Sequence, residues 1–164
     1  MAATAQQWLE LHRLSLDTVR AVLDGLTERQ LLVQEPTFGQ SVGSEVEHII
    51  GAETYWLREV HIEPAFSCAP REEWSVGGFL RTLELVEKQY AEILRARPGD
   101  ADVLFGLGRV CQHALNHRNR LVFLRRRQQP DWQPPAAYGK GSWERAVDYL
   151  TELLIGLEPR ERGG

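Results

Sequence analysis

The chain predicts an all-α fold: a four-helix bundle with a shorter helix near its C-terminal end. Three observations carry that expectation. Apolar residues recur at three- and four-residue steps through four long stretches. Helix-start signatures stand ahead of several of them. No stretch shows the sustained two-residue alternation of a half-buried strand. With 164 residues, 43% hydrophobic and 26% charged, the chain is expected to be one domain with enough length to bury a core.

The first helix is expected from Thr4 to Leu26, with Trp8, Leu11, Leu16, Val19, Val22, Leu23 and Leu26 facing inward. Gly25 marks its end, and Thr27-Glu28-Arg29-Gln30 is a capping box that opens a short helical turn. After Pro36 and Gly39, Ser44-Glu45-Val46-Glu47 reads as a second capping box. The helix it opens carries Val46, Ile49, Ile50, Trp56, Leu57 and Val60, and its first turn is acidic, as the helix dipole favours. The connection from His61 to Trp74 holds Pro64 and Pro70 and is longer than two adjacent antiparallel helices need, so a crossover is expected there.

A third long helix is expected over about Ser75 to Ala96, ended by Pro98-Gly99-Asp100. The fourth runs from near Asp102 to about Arg127, with Val103, Leu107, Val110, Ala114, His117, Leu121 and Leu124 as its inward stripe. Arg125-Arg126-Arg127 close it where positive charge suits a C-terminus. A last amphipathic helix is expected from Ser142-Trp143, ahead of a frayed tail from Glu158 to Gly164.

Composition removes several function classes. A net charge of −4 with no recognition motif argues against nucleic acid as a partner. No run of about 18 apolar residues exists to span a membrane. Gln6, Gln7 and Glu10 occupy the place of a signal peptide's apolar core, so a cytoplasmic protein is expected. Cys68 and Cys111 are then expected to be thiols.

The chemistry concentrates on histidine. His113 and His117 stand four residues apart in one helical stretch, so their Cβ atoms lie about 5–6 Å apart on one face and both rings can meet one metal ion. His48, in the earlier helix, is a third candidate ligand, although its helical position makes it a boundary residue. Gly51 and Ala52 beside it are small enough to let another helix approach. Ala114 stands where a zinc protease needs its glutamate, which excludes that class. Three histidines also fall short of the four ligands that close a structural zinc site, leaving positions for water or substrate. Nitrogen ligation suits zinc, nickel, iron or copper.

Read together, His48-Ile49-Ile50-Gly51-Ala52-Glu53-Thr54-Tyr55-Trp56-Leu57 and the later His113-Ala114-Leu115-Asn116-His117-Arg118 resemble the DinB/YfiT-like metalloproteins. The resemblance covers nearly the whole chain. It implies a four-helix bundle with a crossover between its second and third helices, often a homodimer. It also implies a divalent transition metal (Zn, Ni or Fe) on His48, His113 and His117. Family members with assigned chemistry are similar to thiol S-transferases, which use bacillithiol, mycothiol or glutathione against a small-molecule electrophile. The metal there lowers the thiol pKa and presents a thiolate. A metal-dependent hydrolase and a non-enzymatic stress-response binding or scaffold protein are the alternatives. The family usually has a small residue and often a glutamine where this chain has Asn119 and Arg120.

Other residues receive plainer expectations. His12 reads as a hydrogen-bonded interior histidine, and His61 as a cap for the last carbonyls of its helix. Cys111 packs as a small apolar residue and Cys68 is an unremarkable thiol. Glu45, Glu47 and Glu53 could reach the metal or its water, although helix-terminus and surface roles suit the first two. Arg118, Arg120 and the arginine run could bind an anionic cofactor at the pocket mouth, although a solvated helix end suits the run. Tyr55 is assigned to the lining of a pocket.

Overall fold

The computed structural model describes residues 4–134. They form α1 (Ala5–Leu23), the short α2 (Glu28–Leu32), α3 (Val42–Glu59), α4 (Val76–Ala96) and α5 (Ala101–Gln128), with no strand among the described residues. The helix expected from Ser142 and the tail from Glu158 lie outside them.

Side-chain caps set most of the starts. Thr4 and Thr27 each accept from the backbone three residues on, while Gln7 and Gln30 reach back to complete capping boxes. Ser75 caps α4 and Asp100 caps α5, accepting from Asp102 and Val103; such caps contribute about 1 kcal/mol each. α3 corrects the sequence expectation. Its cap is Ser41 with Ser44 as the reciprocal partner, three residues before the Ser44 start read from Glu47. Packing decides the difference, because the earlier start buries Val42 and Gly43 beneath the rest of the fold. A side chain at Gly43 would meet Trp74 at 2.7 Å and the Leu31 carbonyl at 2.9 Å, so only glycine fits.

The end of α3 agrees with the capping role expected of His61, carried by its backbone. His61 takes a left-handed conformation, φ 57°, where glycine is usual. Its N–H donates to the Arg58 carbonyl and the Ile62 N–H donates to Leu57, each at 2.9 Å. The carbonyls are therefore capped by the backbone at His61 and Ile62, through the paired bonds of a Schellman motif.

Contacts between helices fix their directions. Along α1 and α5, Trp8 lies against Gly108 and Asp24 accepts from Arg125, so these helices run in the same sense. Arg20 with Glu87 and His12 with Tyr90 set α4 opposite to α1. Glu45 with His117 and Trp56 with Phe105 set α3 opposite to α5. It follows that α3 and α4 run in the same sense, and residues 60–75 must return along the bundle. They do: the Ala65 N–H donates to Gln89 late in α4, whereas Trp74 ends against Gly43 at the start of α3. Leu11, Leu16, Val19, Ile49, Ile50, Leu83, Leu107 and Leu121 are among the side chains that fill the shared core, each worth about 1.5–3 kcal/mol of burial.

Candidate metal centre

The opposed directions of α3 and α5 put His48 across from the His113–His117 face. The three rings stand as a triangle, with centroids 4.8 Å apart for His48–His113, 4.7 Å for His48–His117 and 4.3 Å for His113–His117. One nitrogen from each ring lies within 4.8 Å of the others. Nitrogens about 2.0–2.1 Å from a tetrahedral ion sit about 3.4 Å apart. The widest nitrogen–nitrogen separation would therefore shorten by about 1.4 Å around a metal.

Glu45 ties the triangle to the bundle. It is buried in the first turn of α3, and its Oε1 lies 2.5 Å from His117 Nδ1. With an ionised Glu45 as acceptor, Nδ1 carries the shared proton, and in the neutral ring Nε2 is then the nitrogen able to bind a metal. That is how carboxylates orient metal-binding imidazoles. Arg120 Nη1 stands 3.6 Å from the other oxygen, Oε2, so Glu45 faces a histidine on one side and a cation on the other. The sequence offers Glu45, with Glu47 and Glu53, as able to reach a metal but favours a helix-terminus role for it; its place three residues before His48 is the signal for the other role.

His113 Nε2 is buried without a hydrogen-bond partner among the described residues. Burial, and next the neighbouring His117 and His48 rings, lower its pKa from 6.5 to about 4. The imidazole is consequently neutral at neutral pH, the form that binds a cation. An orphaned buried nitrogen, a neutral ring and a carboxylate-oriented ring together fit a nitrogen-liganded divalent ion.

The centre is open on one side. His48 is exposed, as its boundary position anticipated, and it lines an opening of about 350 Å³ with Gly51, Ala52, Tyr55, Trp56 and His113. Nothing lies within 4 Å of a side chain placed at Gly51. The small residues there widen an opening, where the sequence suggested that they admit another helix. Tyr55 takes the lining role expected of it. Trp56 and Arg109, which sequence reading did not single out for the site, form the wall beyond His113.

The other candidates are placed elsewhere. His12 is buried and its Nε2 is 3.1 Å from Glu53 Oε1, with the Tyr90 ring edge-on at 4.7 Å. Cys111 is fully buried and Cys68 partly so. Burial pushes the Cys111 thiol well up and the Cys68 thiol to about 11, leaving both poor nucleophiles near neutrality. Glu47 is exposed, as expected. Within the arginine run the solvated reading fails for Arg125, which is buried, donates to the Asp24 carbonyl at 3.2 Å and stacks 5.5 Å from the Trp132 ring.

No family model, curated protein or solved structure matches the chain. No described helix is long and apolar enough to cross a membrane.

Proposed function

We propose that the chain binds one divalent transition metal through His48, His113 and His117, in the manner of the DinB/YfiT-like metalloproteins, and serves as a metal-dependent thiol S-transferase. The observation that carries the proposal is the convergence of three ring nitrogens, from two antiparallel helices, beside an opening. Three protein ligands leave coordination positions for an exchangeable group. Such a metal, when bound, lowers the pKa of a thiol and presents it as a nucleophile at neutral pH.

The chain's own residues supply the rest. Glu45 holds His117 in one tautomer and one orientation. His113, kept neutral by its surroundings, offers its lone pair without competition from protons near pH 7. Gly51 and Ala52 leave space for an incoming molecule, and Tyr55 and Trp56 give it an apolar wall. Arg120, a departure from the family's usual glutamine, pairs with Glu45 and so belongs to the support of the centre. The resemblance also carries a homodimer and a cytoplasmic setting into the proposal.

The test supplies metal-loaded protein with monochlorobimane and, in turn, bacillithiol, mycothiol and glutathione. Thiol-dependent turnover that disappears in His113→Ala is the expected result. Ester hydrolysis without thiol would make the chain a hydrolase instead. Metal uptake with neither activity would leave a binding or scaffold protein.

A further inference from the structure

A second, smaller opening adjoins the centre. It measures about 120 Å³ and is lined by Trp56, Arg109, Gln112, His113 and Asn116. His113 and Trp56 belong to both openings, so one ring of the triangle borders two openings with different linings. Gly51, Ala52, Tyr55 and Trp56 line the first. A guanidinium and two carboxamides line the second, and no acidic side chain does so among the described residues.

The spacing on α5 explains how these groups share one face. Arg109 and His113 stand four residues apart, as do Gln112 and Asn116, so each pair is separated by about one helical turn. Arg109 is also held in place. Its guanidinium carbon lies 5.7 Å from the centre of the Trp56 ring, and its Nη1 donates to Gln112 Oε1 at 3.2 Å. A guanidinium has five N–H donors, and one is used by Gln112. The flat fork that remains matches the two oxygens of a carboxylate.

We infer that the centre takes a carboxylate-bearing substrate or thiol, whose acid group Arg109 holds, with Gln112 and Asn116, one helical turn from His113. The inference rests on the metal reading and adds to it the class of ligand. His113 lines both openings, so the inferred molecule would set its sulfur at the metal and its carboxylate at Arg109 on the other opening. Because Arg109 is exposed, water screens the pairing and the selectivity it provides is modest.

Cobalt-loaded protein tests this directly, with 3-mercaptopropionate and 3-mercapto-1-propanol as probes of nearly equal size. Binding is followed by the thiolate-to-cobalt absorption band, which needs no turnover. The acid is expected to bind about fivefold more tightly at low salt, an advantage that declines as salt is added. In Arg109→Gln the two probes are expected to bind alike. Equal affinities in the unaltered protein would overturn the inference. So would an advantage that survives in Arg109→Gln, since the carboxylate would then be held by the metal alone. Both results leave the three-histidine site standing. Failure to take up cobalt would instead remove the metal reading, and this inference with it.

Discussion

Two histidine–glutamate pairs stand in the same bundle and do different work. His12 with Glu53 joins α1 to α3, and His117 with Glu45 joins α5 to α3. Both glutamates are buried, and they lie two turns apart on one helix. What separates them is access and company. His12 and Glu53 are each 1% exposed in their side chains and pack against Tyr90, inside the core. The His117 side chain is 17% exposed and has beside it His48 and His113, which line an opening. The same kind of hydrogen bond therefore sits inside the core in one pair and orients a candidate ligand in the other. A buried histidine with one carboxylate is a structural unit; a histidine with a carboxylate behind it and two more imidazoles in front is a candidate metal site.

Removing either carboxylate should break this contrast in opposite directions. Glu53→Ala leaves His12 buried without its partner, and the loss is expected to be about 3 kcal/mol of unfolding free energy in urea. Metal content per folded chain should stay as it was. Loss of metal with stability intact would reverse the roles of the two pairs.

Glu45→Gln is the smaller perturbation. The amide oxygen still accepts from His117 Nδ1, but the charge that favours metal binding is gone. A fall in metal affinity of about tenfold is expected in a chelator competition, with little change in the urea midpoint of the metal-free chain. An unaltered affinity would show that Glu45 acts only as a structural partner.

The smallest effect is the pH response of the metal-free protein. His113 titrates at about 4 in the folded chain and near 6.5 when exposed. Between those values the unfolded chain binds more protons, so unfolding is favoured progressively as pH falls from about 6.5 to 4. Above that window the contribution is constant. His113→Gln should flatten the slope of melting temperature against pH across this interval; an unchanged slope would mean that other groups set it.

The sequence revealed the parts better than their meeting points. Thr4, Thr27 and Ser75 mark helix starts because a cap acts on a backbone only three residues away. His113 and His117 were legible for the same reason, since i and i+4 share a face before any tertiary structure exists. His48 was legible as a boundary residue, and its exposure agrees. Glu45 was legible only as one of three acids able to reach a metal, because its contact with His117 depends on α3 running opposite to α5 in the register that sets residue 45 against residue 117. The start of α3 was misplaced because Glu47 completes a plausible local motif, while the packing of Gly43 against Leu31 and Trp74 is a long-range matter. Arg125 failed similarly: its end-of-helix position is local, but the Asp24 carbonyl and the Trp132 ring that enclose it come from other parts of the chain.

The central claim is that His48, His113 and His117 act as one ligand set. Elemental analysis of chelator-free protein beside His48→Ala and His117→Ala tests it most directly, because the two substitutions remove ligands from different helices. About one transition metal per chain, lost in both variants, is the predicted result. No metal after zinc, nickel, iron and manganese have each been offered, or metal retained in both variants, would contradict it.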